Sequence, residues 1–140
     1  MEVPPAPRYF TDENALGLGL LLHRAGRTDI LFPDHPDLPE VPLGTPDTEW
    51  MPVIAHRDLI VLSRDRRIRT RPAELRVYWE HGIRSVWIGA KRDLSPSDQV
   101  DLFLRHEQRL QRQAVKLGPG PWALSLGATG PRPIRLREPD

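Results

Sequence analysis

The sequence predicts an α/β fold, a three-layer sandwich with a mostly parallel central sheet. Short apolar runs alternate with helical segments through most of the 140 residues, which is the pattern of strands joined by helical crossovers. Residues 59–62 are continuously apolar, as expected of a parallel strand that is buried on both faces. The chain has no cysteine, which excludes disulfides and thiolate metal sites.

Local signals place ten elements along the chain. Strands are predicted at residues 8–11, 28–32, 59–62, 83–88, 122–126 and 134–136, and helices at residues 15–25, 46–56, 72–81 and 95–116. Asp12 to Asn14 supply caps and negative charge for the first helix, and Gly26 ends it. Gly17 and Gly19 within that helix indicate close packing against the sheet.

Prolines and glycines set most of the other boundaries. Residues 33–45 carry four prolines and predict a stiff surface loop that includes His35. The proline at position 46 favours a helix start, but Pro52 leaves the exact boundary open. Gly82 ends the third helix, and a serine followed by a proline at residues 95–96 begins the fourth.

The chain is predicted to be one domain, residues 1–140. Residues 8–90 form its core with an acidic site, and residues 91–140 add a helix and short strands. No apolar run approaches the ~20 residues that a bilayer requires, and the first ten residues lack the pattern of a signal peptide. We therefore expect a cytoplasmic protein without membrane contact.

Charges of one sign are grouped along the chain, although the net charge is only +1. Residues 28–56 carry six acids and no Lys or Arg, whereas residues 57–76 carry seven arginines against three acids. Residues 105–137 carry seven basic residues against one acid. Such grouping can build an acidic site inside a basic surround, and the alternative is a surface of randomly mixed charges.

Three aspartates stand where an open parallel sheet binds ligands, beyond the carboxyl ends of its strands. Asp12 follows the first strand, Asp65 follows the third, and Asp47 stands at the start of the second helix. Glu13 and Glu49 lie nearby in sequence and could join them. Without cysteine or paired histidines, grouped carboxylates favour Mg²⁺ or Mn²⁺ over zinc, and such a site suits phosphodiester cleavage.

Each of these acids also has a structural explanation. Asp12 and Asp47 are each placed to cap or charge a helix start, and Asp65 could be a turn residue paired with its neighbours. Five arginines surround Asp65: Arg64, Arg66, Arg67, Arg69 and Arg71. They either hold a nucleic-acid backbone or form ion pairs in a solvated loop.

The acids lie in motifs that resemble a known family. Tyr-Phe-Thr-Asp-Glu-Asn at residues 9–14, Pro-Asp-Thr-Glu at residues 46–49 and Val-Leu-Ser-Arg-Asp at residues 61–65 resemble PIN-like domains. They are similar to the VapC-type toxin ribonucleases of toxin–antitoxin pairs over residues 8–90.

The resemblance implies a metal-dependent ribonuclease. It makes Asp12, Asp47 and Asp65 the ligands of Mg²⁺ or Mn²⁺. Glu13 or Glu49 would orient water, and the arginines would position RNA. Ser63 stands where the family more often has threonine, and the fourth acid is open between Glu49 and Asp93.

We therefore expect an endoribonuclease that acts as the toxin of a type II toxin–antitoxin system. Its expected partners are RNA, a DNA-binding antitoxin and, in a homodimer, a second copy of the chain. One alternative is a non-catalytic PIN-like module that binds RNA or protein. Another is a small phosphatase-like or nucleotide-binding α/β domain.

Overall fold

The computed structural model describes residues 7–65, 70–89 and 93–139. The strands are β1 (Tyr9–Thr11), β2 (Ile30–Leu31), β3 (Ile60–Ser63), β4 (Arg84–Ile88), β5 (Trp122–Gly127) and β6 (Gly130–Ile134). The helices are α1 (Leu16–Arg24), α2 (Asp47–His56), α3 (Pro72–Glu80) and α4 (Pro96–Leu117). A short 3-10 helix, Glu13–Ala15, precedes α1.

The strands of the described residues form one six-stranded sheet in the order β2-β1-β3-β4-β5-β6. Five strands are parallel, and β6 alone runs antiparallel to its neighbour β5. This confirms the predicted α/β class and the mostly parallel sheet. Because β1 and β3 are neighbours, with Thr11 opposite Leu62, the residues that follow the two strands meet at one edge.

Alternate residues of the strands face opposite layers of helices. Tyr9 and Leu62 point into a core with α1 and α4, whereas Phe10 and Val61 point into a core with α2 and α3. The sheet is therefore covered on both faces, which explains the continuous apolar run in β3. Within the described residues, none of the helices has both the length and the apolar character that a membrane crossing needs.

The proline-rich segment is more buried than the sequence predicts. Leu38 and Val41 are fully buried and belong to the α2–α3 core. His35 is 7% exposed, so the prediction of a surface histidine is wrong. Its ring packs against Phe32 and His23, and its Nδ1 accepts the backbone N–H of Asp37. The prolines exclude regular structure, but the apolar residues between them still fill the core.

The last predicted strand, residues 134–136, is also wrong, because β6 lies at Gly130–Ile134. A two-residue turn joins β5 and β6, and the pairing places Pro131 opposite Leu126 and Pro133 opposite Leu124. In the described sheet β6 is an edge strand. Because an edge strand has a neighbour on one side only, it tolerates residues that lack an N–H.

The structure shows where α2 begins, which Pro52 leaves open in the sequence. Residues Asp47–His56 are helical with Pro52 inside. The first helical hydrogen bonds run from the N–H groups of Glu49 and Trp50 to the carbonyl of Pro46, and Asp47 is thereby held in the first turn.

Candidate active site

Asp12 lies directly beyond β1 and is almost fully buried, with 2% exposure. Its Oδ1 accepts the N–H of Ala15 at 3.1 Å, which confirms the predicted cap at the start of the helical segment. Its Oδ2 accepts the hydroxyl of Ser63 at 2.5 Å, a bond that joins the ends of β1 and β3. Asp12 is therefore both a cap and part of the carboxyl edge of the sheet.

Among the described residues, no cation balances the charge of Asp12. The pKa of Asp12 is raised to about 7: burial is the largest cause and the charges of Asp47 and Asp65 add to it, while the hydrogen bonds from Ser63 and Ala15 lower it. Within the described residues, Asp12 forms no ion pair with Lys, Arg or His. A buried carboxylate without a counter-ion is costly, so this position favours either a bound proton or a bound cation.

Asp65 lies beyond β3 and is 7% exposed. Its backbone N–H donates to Oγ of Ser63 at 3.0 Å. The fully buried Ser63 thus donates to Asp12 and accepts from Asp65. Sequence reasoning did not identify Ser63 as part of the site, and the available signal was a hydroxyl residue at the strand end, two positions before an aspartate.

Asp47, the first residue of α2, completes the group. Its Oδ1 accepts the indole N–H of Trp50 at 3.0 Å, and the buried Trp50 anchors the helix in the core. Burial raises the pKa of Asp47, and the charge of Asp65 adds to this, while Trp50 and Arg71 lower it. The three aspartates therefore share one electrostatic environment.

Arg71 bridges two of these acids. Its Nη2 lies 3.2 Å from Oδ2 of Asp65, and its Nη1 lies 3.7 Å from Oδ2 of Asp47. Nη1 also lies 3.4 Å from Oε1 of Glu74, one turn along α3. The sequence predicts Arg71 as a nucleic-acid contact, and the structure shows its guanidinium facing the acids. It partly neutralises Asp47 and Asp65 but not Asp12.

The two glutamates predicted near the site are both exposed. The carboxylate of Glu13 accepts the N–H of Gly44 and so holds the end of the proline-rich loop beside the acids. Within the described residues, the side chain of Glu49 makes no hydrogen bond or ion pair. Asp93, the other candidate for a fourth acid, is also exposed.

The predicted arginines divide into described and undescribed positions. Arg64 is half-buried, and its guanidinium lies against Gly89 just beyond β4, at the same edge as the acids. Arg66, Arg67 and Arg69 lie outside the described residues. Their expected contacts with RNA remain predictions.

The donor atoms suit a hard cation, although they do not form a complete cage. In residues 7–65, 70–89 and 93–139, no three Asp, Glu or His side chains already have the arrangement of metal ligands. Mg²⁺ usually takes one or two carboxylates and fills its other positions with water or phosphate oxygens. The buried and uncompensated carboxylate of Asp12, with Asp47 and Asp65 facing it, fits that requirement.

Comparison with known proteins identifies a family for most of the chain. Residues 7–90 match the family model described as PIN like domain, and the match includes all three aspartates. Neither the curated proteins nor the solved structures contain a significant match. PIN-like domains are generally nucleases and typically use a divalent metal, which suggests a nuclease-type function here. Because the match spans well over half of the 140 residues, the chain belongs to the PIN-like domain family.

Proposed function

We propose that this protein is a divalent-metal-dependent endoribonuclease. The observation that carries the proposal is the buried carboxylate of Asp12, which faces Asp47 and Asp65 at the carboxyl edge of a parallel sheet and forms no ion pair within the part of the chain that the structure describes. Asp12, Asp47 and Asp65 would hold Mg²⁺ or Mn²⁺. The chemistry that such a cation supplies is activation of water and neutralisation of phosphate charge.

The surrounding residues position the three acids. Ser63 holds the carboxylate of Asp12 and the backbone of Asp65 at the ends of two neighbouring strands. Trp50 orients the carboxylate of Asp47. In the absence of substrate, Arg71 balances Asp47 and Asp65, and its charge lies where the phosphates of an RNA strand would approach the acids.

A non-catalytic PIN-like module is the second candidate, and Arg71 is the observation that favours it. The guanidinium neutralises two of the three acids from within the chain, so those two carboxylates are stable without a metal. A protein that used this arrangement permanently would bind RNA or a protein partner and would not cleave.

Cleavage of single-stranded RNA distinguishes the two candidates. The wild type should cleave in Mg²⁺ or Mn²⁺ and not in EDTA. Asp12→Asn and Asp65→Asn should each lower the rate by roughly a hundredfold or more and keep a native circular dichroism spectrum. Asp101→Asn, on the exposed side of α4, is the matched control and should cleave like the wild type. Activity of Asp65→Asn within about threefold of the wild type would contradict the site.

The toxin role is a separate proposal, supported by the motifs at residues 9–14, 46–49 and 61–65. Expression of the wild type should arrest bacterial growth, and Asp65→Asn should not. A small protein with a helix-turn-helix, encoded directly upstream, should bind the chain and restore growth. Metal-dependent cleavage without growth arrest would reject the toxin role and leave the ribonuclease intact.

A further inference from the structure

We propose that a groove between α3 and the segment after β6 binds the backbone of the single-stranded RNA substrate. This inference rests on the proposed ribonuclease function and extends it with a path for the substrate. The groove encloses a cavity of about 520 Å³. One wall consists of the residues at positions 70, 72, 75 and 76, and the other of those at positions 135 and 137–139.

Three arginines converge on this groove from two distant parts of the chain. Arg76 comes from α3, and Arg135 and Arg137 come from the segment after β6. All three are exposed, and within the described residues none of their side chains forms a hydrogen bond or an ion pair. Glu138 is the one acid among the described lining residues, so the groove is positively charged. Arginine forks of this kind suit phosphate oxygens.

The groove also has an apolar floor. Leu75 is buried at 6% exposure, and Pro72 and Pro139 line the wall beside it. Apolar surface next to guanidinium planes accommodates riboses and unpaired bases, which stack on such planes in single-stranded RNA sites. The cavity volume lies within the range of roughly 300–1,000 Å³ typical of sites for small molecules such as a nucleotide.

One end of the groove lies next to the acidic site. Thr70 and Pro72 line the groove and flank Arg71 in sequence, and Arg71 contacts Asp47 and Asp65. An RNA strand that passes the three aspartates would therefore enter the groove directly. An acidic protein segment would also be attracted by the arginines, and the adjacent carboxylates would repel either polyanion alike. The apolar floor beside the arginines, which suits riboses and unpaired bases, favours RNA as the occupant.

Binding can be measured apart from cleavage. A fluorescent single-stranded oligouridylate is titrated with the full chain in EDTA at several salt concentrations, and anisotropy reports the affinity. The groove variant is Arg135→Gln with Arg137→Gln, and Arg76→Gln provides a second variant on a different element. The control is Arg105→Gln with Arg112→Gln, which removes the same charge from the exposed side of α4 on the opposite face of the sheet.

The groove variant should bind roughly tenfold more weakly than the wild type, and its salt slope should fall by about 0.7 for each lost phosphate contact. Arg76→Gln should show the same effect for one contact, and the control should stay within about twofold. Equal losses of RNA affinity in the groove variant and the control would show that only the net charge of the protein matters, and they would overturn the inference. Unchanged binding in both groove variants would overturn it as well.

Two further readouts separate the possible failures. If polyglutamate, and not RNA, binds less well to the groove variant, the groove is a site for acidic protein and the inference is wrong. Cleavage in Mg²⁺ is followed with the same preparations. Cleavage by the wild type together with unchanged RNA affinity of the groove variants would reject the groove alone. If the groove variants bind RNA more weakly but the wild type does not cleave in Mg²⁺, the proposed ribonuclease activity is rejected and the groove is retained as an RNA-binding site.

Discussion

Asp12 combines two properties that are rarely compatible in one side chain. It is buried almost as deeply as the apolar residues of β1, and its ionisable group receives hydrogen bonds, within the described residues, from neutral donors alone. Desolvation and the facing charges of Asp47 and Asp65 make the folded state prefer a protonated Asp12. The site is therefore destabilising without a cation, and this makes its charge measurable through stability.

The first prediction follows from that raised pKa. The native state binds a proton at Asp12 up to a pKa of about 7, whereas the unfolded chain releases it near its ordinary pKa of about 4. The stabilisation that protonation of Asp12 gives the native state is complete below pH 4 and is lost as the pH rises to about 7. The free energy of unfolding falls by up to roughly 1.4 kcal/mol for each pH unit in that range. Asp12→Asn keeps an acceptor for the N–H of Ala15 and removes the charge. It should melt above the wild type in EDTA at pH 8, and the difference should vanish near pH 4.

Added metal reverses the order. Mn²⁺ binds the native acids and should raise the melting temperature of the wild type at pH 8, whereas Asp12→Asn should gain much less. Asp65→Asn is the weaker test, because the carboxylate of Asp65 already pairs with Arg71. A wild type that is unaffected by metal, with an Asp12→Asn variant that melts lower in EDTA, would show that Asp12 is only a cap.

The ion pairs of Arg71 lead to a second prediction about a single residue. Its guanidinium balances Asp47 and Asp65, so it opposes the binding of another cation at the same carboxylates. Arg71→Gln should therefore bind Mn²⁺ tighter, on the order of tenfold, as measured by calorimetry without RNA. Arg112→Gln, which removes the same charge from the other face of the sheet, should leave the affinity unchanged. Weaker binding by Arg71→Gln would show that Arg71 orients the acids for the metal.

The position of α1 depends on the absence of a side chain at Gly19. A Cβ at this position would collide with Oγ1 of Thr11, the fully buried residue before Asp12, and would lie 3.3 Å from Cδ1 of Phe32. Gly19 therefore lets the helix lie directly on the end of β1. The helix is placed by this close approach, although glycine weakens it.

Gly19→Ala tests this contact with two effects of opposite sign. Alanine stabilises a helix interior by about 1 kcal/mol, but the clash with Thr11 should cost more, for a net loss of roughly 1–2 kcal/mol. Thr11→Ala removes the colliding atom, so the double variant should recover much of the loss in chemical denaturation. Equal losses with and without Thr11→Ala would show that the contact with Thr11 is not the cause.

At the scale of the whole molecule, one ionic network joins α4 to the part of the chain that matches the family. Arg27 makes two hydrogen bonds of 2.8 Å to Asp29, before β2, and bonds of 3.0 and 2.7 Å to Glu107 on α4. Tyr9 on β1 and Gln111 on α4 also bond Glu107. The network lies at the amino-end side of β1 and β2, away from the aspartates.

The pH dependence of this network has the opposite sign to that of Asp12. Burial would raise the pKa of Asp29, but the hydrogen bonds and charge of Arg27 outweigh it, and the pKa lies below its usual range. The stabilisation that the ionised Asp29 provides is present above pH 4, and it is lost as the pH falls through the pKa of Asp29 in the native state. Asp29→Asn should lower the free energy of unfolding by about 2 kcal/mol at pH 7, and by progressively less below pH 4. Asp101→Asn is the control. A pH-independent loss would contradict an ionic role.

The sequence predicted the architecture because the signals for it are local. Apolar runs, helix caps and prolines act on neighbouring residues, so they located the strands and helices to within a few positions. Strand ends and helix starts share one edge in any parallel α/β sheet, so Asp12, Asp47 and Asp65 could be placed together before the structure was known. The burial of Leu38 and His35 and the position of β6 were missed, because prolines mark a lack of regular structure and do not indicate depth.

The sequence by itself therefore determined the α/β class, the carboxyl edge and the three aspartates on it. Only the tertiary structure decided what surrounds them. Ser63 links Asp12 to Asp65 across two strands, Arg71 turns back onto the acids, and Arg76 meets Arg137 in one groove. These contacts join residues that are remote in sequence or depend on which way a long side chain turns. Both are set by packing in three dimensions, and neither leaves a local pattern in the sequence.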